Sequence, residues 1–291
     1  MQMRELKERI IGRVLLMCAS TSILIVALIF LFLFREASSL VREPGLSVLL
    51  STEWIPTSFQ KVSFGLVPLI TGSLLVTVLA TVIAIPFGVF GAIYIAEMAG
   101  PKEREILKPF IELVAGIPSV VLGFFGLVVV APLIKSIFHL NTGLTALTGA
   151  LLLALMAIPT IITISEDAIR SVPRTYKEAS LALGANRVQT IFKVVVPAAL
   201  SGIIASIMLG MGRVIGETMA VIMVTGNAAK ITFSPVEPVR TMTATIAAEM
   251  GEVVFGSPHY AALFWVGIVL LITTFALNLV AMRVLKKYQR A

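Results

Sequence analysis

The chain has 291 residues, of which 58% are hydrophobic and 13% charged, and its mean hydropathy is +1.00. So few charges cannot cover a soluble domain of this length, so a soluble enzyme is excluded and an integral membrane protein is implied. The formal net charge of +7 reads as a loop bias that orients the chain in a bilayer, not as the footprint of a nucleic-acid partner.

A hydrocarbon core about 30 Å thick takes roughly 20 residues of helix. Six apolar stretches meet that length, at residues 14–34, 66–96, 112–134, 141–165, 197–226 and 258–282. The predicted fold is therefore all-α, a polytopic membrane protein with six transmembrane helices. Residues 1–291 form a single domain, because the loops are too short to hold another. The first stretch follows basic residues, as a secretory signal would, but it exceeds the usual signal core. Arg35 and Glu36 follow it without an A-x-A site, so it reads as a retained helix. Cys18 lies in it, is the sole cysteine, and cannot form an internal disulfide.

After the first stretch, "STEWIPTS" places Trp54 as an interfacial anchor, and Pro56 argues against a regular helix there. Helix breakers recur downstream: Pro86 with Gly88 and Gly91, Gly116 with Pro118, Gly123 and Gly126, and Pro159. Pro86, Pro118 and Pro159 are candidate hinges around a pathway, and ordinary close packing is the alternative. Glu97, Glu166 and Asp167 fall at cytoplasmic helix ends, where solvation accounts for them. His139 and His259 are isolated from other ligand types near the outer interface and read as solvent-facing, so no metal site is predicted.

Residues 166–197 form the longest inner loop. Pro173 suits a helix start, Glu178 to Leu183 is a good helix former, and Gly184 can terminate it. The fifth stretch contains "LGMGRVIGETMAV", in which Arg213 and Glu217 sit four positions apart. Each charge would cost about 2.5 to 3.5 kcal/mol at the bilayer centre, so both should face protein or water. On one helix they share a face and are close enough to pair. Two readings stay open: a salt bridge that holds helices or subunits in register, or an oxyanion contact. In the second, Arg213 offers a planar fork of donors and Glu217 holds it while the path is empty. Thr218, Thr225 and Asn227 continue the segment outward, either lining the path or satisfying backbone carbonyls. Gly212 and Gly216 form a GxxxG pattern suited to close helix approach. In the outer loop, "TMTATIAAEMGEVV" is expected to form a short helix on or dipping into the outer face.

Placing the N-terminus inside leaves sixteen of the 23 Lys and Arg residues on the cytoplasmic side, Arg290 among them, and six outside, Lys61 among them. The chain is thus expected to be a multi-pass cell-membrane protein with both termini cytoplasmic.

Glu178, Ala179 and Ser180, then Gly184 after three residues, then Val194, Val196 and Pro197 after nine more, resemble the EAA motif of ABC importer permeases. That motif runs E-A-A, three residues, G, nine residues, I-x-L-P. Here Ser replaces the second Ala and Val replaces both Ile and Leu. No glycine is followed by lysine, so the chain has no Walker A loop of its own. Within the superfamily, "TEWIP", "FGLVPLITGSLL", "IELVAGIPSVVLGFFGL", "GRVIGETMAVIMVTGN", "TATIAAEMGE" and "GSPHYAALF" are similar to phosphate importer permeases of the PstC type.

The resemblance implies a MetI-like type I ABC importer permease fold carrying inorganic phosphate. Its partners would be a PstA-like sister permease, a PstB-like ATPase dimer and a PstS-like extracytoplasmic phosphate-binding protein. ATP and Mg would sit on the ATPase, leaving this chain without a cofactor and not itself an enzyme. Residues 166–197 would form the coupling loop, with Glu178, Ala179, Ser180, Gly184 and Pro197 serving the ATPase contact. Arg213 would meet the anion and Glu217 would modulate it. The rivals are a permease for another oxyanion, such as sulfate or molybdate, and an ATP-independent channel or secondary transporter.

Overall fold

The computed structural model describes residues 2–42, 45–58 and 62–289. Lys61 and Arg290, both counted in the charge bias, lie outside the described residues. In chain order, α1 spans Gln2–Arg42 and is followed by a 3₁₀ turn at Leu46–Leu50. Two short antiparallel strands, β1 (Trp54–Ile55) and β2 (Ser63–Phe64), set Trp54 opposite Phe64. Next come α2 (Val67–Ile93), extended by a π turn at Tyr94–Met98, and α3 (Pro101–Gly116). The third span joins α4 (Ser119–Phe125) to α5 (Ala131–Ile137) through a π turn at Gly126–Val130. Then follow α6 (Ala146–Arg170), α7 (Arg174–Ala182) and α8 (Arg187–Thr190). A π turn at Ile191–Val195 leads into α9 (Val196–Ile215), and α10 (Met219–Val224), α11 (Met242–Glu249) and α12 (Pro258–Gln289) complete the chain.

Among the described residues, six helices are long and apolar enough to cross a membrane: Ile10–Val41, Val67–Met98, Ser119–Ile137, Ala146–Arg170, Arg187–Ile215 and Pro258–Val280. The all-α, six-span expectation is borne out, but three boundaries move. The third span starts at Ser119, not at 112, because Ile117 and Pro118 are extended and close α3 as a separate helix. The "PKEREILKPF" part of α3 is too polar for a span, and the helix leaves Ile106, Phe110 and Leu113 exposed on one side. The fourth span starts at Ala146, where the Thr145 hydroxyl accepts the Thr148 N–H and caps the first turn. The fifth is not one helix, and its break forms part of the site described below.

Helix α6 is the packing axis. Its Ala146, Ala150, Ala154 and Ala157 join Ala80 and Ala84 of α2 in one buried cluster, and small residues let helix backbones approach closely. Ile161 of α6 fills the space left by two glycines. A Cβ at Gly88 of α2 would stand 2.6 Å from it, and one at Gly210 of α9 would stand 2.9 Å away. Of the candidate hinges, Pro86 and Pro159 stay inside unbroken helices, and Pro118 sits at a true break. Helix α1 stays on the periphery, held to α12 by the Phe32–Phe264 ring pair at 5.6 Å and by Trp265 Nε1 donating to the Ala37 carbonyl at 2.8 Å.

Candidate functional site: a broken fifth span and a braced 166–197 loop

Helix α9 stops at Ile215, and the chain crosses Gly216, Glu217 and Thr218 before α10 begins. Backbone groups freed at such a break must find partners where water is scarce. The Glu217 N–H donates to the Val214 carbonyl at 3.2 Å, and the Glu217 carboxylate accepts the Ala220 N–H at 3.3 Å, capping α10. The Glu217 carbonyl accepts the Thr243 hydroxyl at 2.8 Å.

Thr243 belongs to α11, and the expected short outer helix is thus present and reaches down to the break. Two contacts with α2 seat it. The Met242 N–H donates to Ser73 Oγ at 2.9 Å, and the Arg240 carbonyl lies where a Cβ on Gly72 would be, 2.4 Å away. A small cavity results, with Ser73, Thr77, Glu217, Thr241 and Thr243 as its polar lining.

Arg213, in the last turn of α9, is exposed and has no hydrogen bond or ion pair among the described residues. The expected Arg213–Glu217 pair is therefore not made. The i, i+4 argument presumed a continuous helix; the chain leaves helical geometry after Ile215, and Glu217 turns to the first N–H groups of α10. Thr218 is half-buried, with its hydroxyl on the Gly216 carbonyl at 3.3 Å. Thr225 is buried and donates to its own helix at Val221, 2.9 Å away. Asn227 adopts a left-handed φ of 48° and donates through Nδ2 to the Ile222 carbonyl at 2.6 Å. In this state, both bond to α10 carbonyls.

Two other ion-pair clusters overturn simple solvation readings. At the outer end, Glu249 accepts Arg240 Nη1 at 2.8 Å, His259 Nε2 at 2.8 Å and Trp54 Nε1 at 3.1 Å. His259 is thus largely buried, with its ring stacked on Phe64, and Trp54 is a core residue of the outer segment, not a surface anchor. His139 is exposed as expected. At the end that carries the 166–197 loop, Glu166 is 2% exposed and meets Arg104 at 2.6 Å, Lys108 at 3.5 Å and Arg170 at 3.5 Å. Glu97 pairs with Lys177, and its carbonyl accepts Arg187. Asp167 alone of these three carboxylates is exposed. The i+4 spacing of Arg170 from Glu166 was the one sequence signal for its cluster. Among the described residues, no group of three His, Cys, Asp or Glu could hold a metal ion.

The loop itself follows its sequence signals. Helix α7 starts after Pro173 and ends at Ala182, and the φ of 86° at Gly184 just beyond lets Ala185 donate back to the Ser180 carbonyl at 3.2 Å. Asn186 and Gln189 cap α8 reciprocally. Ser180, the departure from the motif, shares a hydrogen bond with Thr190 at 2.9 Å and so ties α7 to α8. Glu178 and Ala179 are exposed on α7, and Pro197 opens α9.

Residues 84–291 match the family described as "Binding-protein-dependent transport system inner membrane component". The chain is 43% identical over 227 residues to "Probable ABC transporter permease protein YqgH" of Bacillus subtilis, covering 78% of this chain and 73% of that protein. It is 35% identical over 268 residues to "Phosphate transport system permease protein PstC" of Mesorhizobium japonicum, covering 86% and 81%. Among solved structures, an inward-facing MetNI methionine ABC transporter chain matches with a TM-score of 0.57 at 19% identity, covering 84% of this chain and 98% of that one.

Proposed function

Because the chain belongs to the family of binding-protein-dependent transport system inner membrane components, the permeases of ABC transporters, we propose that it is a permease subunit of an ATP-driven phosphate importer. It is a multi-pass inner-membrane transport subunit and not an enzyme. The phosphate transport permeases among its relatives support the choice of substrate. The observation that supports an oxyanion path is Arg213, a guanidinium without a partner among the described residues, beside a helix break inside an apolar segment.

A guanidinium stays protonated and matches phosphate oxygens with two parallel donors. A transport site must bind well enough to admit its ion and weakly enough to release it. Glu217, on the other side of the break, limits the positive field there and keeps the site from becoming a trap. The pathway forms with a sister permease. An extracytoplasmic phosphate-binding protein delivers the anion, and two ATPase copies, which carry ATP and Mg²⁺, push on Glu178 to Gly184 from the cytoplasm. Both termini of this chain then face the cytoplasm. ATP has to favour one of two packed states for this push to move substrate.

The test is uptake of labelled phosphate by cells expressing Arg213→Ala or Arg213→Lys at normal level, with ATPase assembly checked by co-purification. Uptake should be lost or sharply reduced while assembly is retained. Normal uptake by a well-expressed Arg213→Ala variant rejects the role. Efficient competition by sulfate or molybdate in the unaltered complex would move the reading to another oxyanion.

A further inference from the structure

Glu97 lies where three elements meet. It sits in the π turn that ends α2, is largely buried, pairs its carboxylate with Lys177 of α7, and lends its carbonyl to Arg187 of α8. The end of α2 is thus gripped by both helices of the cytoplasmic loop. The same loop enters α9 directly through the π turn at Ile191–Val195. At their other ends, the two helices meet at one place. Helix α2 brings Ser73 and Thr77, and α9 brings Val214 and the chain leading into Glu217, to the small polar cavity at the break.

Any displacement of α7 reaches α9 through covalent chain. It reaches α2 through side chains: apolar packing, the Arg187 contact to the Glu97 carbonyl, and the ion pair of Lys177 with the Glu97 carboxylate. We infer that this ion pair is a transmission contact: it makes α2 follow the cytoplasmic loop, so that both walls of the polar cavity move when the partner ATPase moves α7. Glu97 and Lys177 are positioning residues that act through α2 and touch no substrate. The π turn suits this role, because its extra residue can be absorbed or released as α2 shifts without unwinding the helix.

The inference rests on the ABC permease reading, and its test is independent of the transported substrate. In the assembled complex carrying Cys18→Ala, Thr77→Cys reports on α2 and Ile207→Cys on α9, each by thiol labelling with and without ATP plus vanadate. Glu97→Gln and Lys177→Met should each reduce the nucleotide-dependent labelling change at Thr77→Cys by about fivefold, the population ratio that losing one such pair carries. The response at Ile207→Cys and ATP hydrolysis should persist. Lys177→Arg, which keeps the charge, should retain the α2 response. An undiminished α2 response in the single variants overturns the inference, because packing alone then moves α2. So does equal loss at both reporters, or loss in Lys177→Arg as great as in Lys177→Met. If the reporter complexes pass this test while the unaltered complex takes up no phosphate, the substrate is refuted and the transmission contact stands.

Discussion

Replacing Glu166 tests whether α3 is held to the end of α6 by charge. Its carboxylate is 2% exposed, and its cationic partners Arg104, Lys108 and Arg170 are 24%, 37% and 50% exposed. Removing one member of a fully buried ion pair costs about 3 to 5 kcal/mol, chiefly because the other charge is stranded. Here water can reach all three cations, which lowers the expectation for Glu166→Gln to about 2 kcal/mol. Arg104 contributes most of it, since its Nη2 contact at 2.6 Å is the shortest of the three and Arg104 is the least exposed of the three cations. Denaturant unfolding of the purified protein in one fixed detergent measures the difference. Combining Glu166→Gln with Arg104→Gln should cost less than the two single changes together, by about 1 kcal/mol or more. Raising salt should leave most of the loss in place, because a buried carboxylate is screened far less than a surface one. A change within about 0.5 kcal/mol, the range of ordinary surface substitutions, or strict additivity with Arg104→Gln, would refute the argument.

Gly72→Ala sets a Cβ 2.4 Å from the Arg240 carbonyl, a backbone atom that cannot swing aside. The outer segment must lift, which strains the Met242–Ser73 and Thr243–Glu217 bonds. A loss of about 1 to 3 kcal/mol in unfolding and lower phosphate uptake are expected, while Gly12→Ala, with nothing within 4 Å, should be neutral or mildly stabilising. Wild-type stability and uptake in Gly72→Ala would count against the seating of α11. In the outer loop, the Glu237 carboxyl is held below the usual carboxylate range by hydrogen bonds from Lys230 first and from Thr232 second. A carboxylate depressed by folding contributes stability above its unfolded value and loses it as pH falls through the folded value. The Lys230–Glu237 contact, 2.7 Å long, should therefore outlast the ordinary glutamate titration near about 4.3 and release only in stronger acid. Carboxyl NMR should show the Glu237 midpoint rising in Lys230→Met, and an unmoved midpoint would rule out this cause.

Much of the architecture was legible because a bilayer imposes a length rule that short-range sequence obeys. The six spans, the α7 helix between Pro173 and Gly184, and the short α11 all follow from local signals. What could not be read depends on contacts between distant segments. Glu166 looked like a solvated helix end because Arg104 lies 62 positions earlier. His259 looked solvent-facing because the rings of Phe64 and Trp54 that cover it come from the distant segment before α2. The break after Ile215 escaped for a related reason: apolar periodicity continues through it, and the threonine that receives the freed Glu217 carbonyl lies 26 residues downstream. Gly216 was the one local hint, and a single glycine in an apolar span more often signals close packing.

The two charges of the fifth span thus have unequal standing. Glu217 is half-buried and already committed, with its carboxylate spent on capping α10 and its carbonyl on Thr243. Arg213 is committed to nothing among the described residues, and Leu209 and Gly212 on its helix and Gly216 in the break are exposed beside it. A cation on an apolar helix carries a cost of about 2.5 to 3.5 kcal/mol at the bilayer centre unless it meets water, anion or protein. Among the described residues, none pairs with Arg213. The guanidinium then requires a partner beyond the described residues, and on the transport reading proposed above this is water or an anion in a path shared with a second permease. That requirement follows from the break itself, since a continuous helix would have let Glu217 neutralise Arg213 from one turn away.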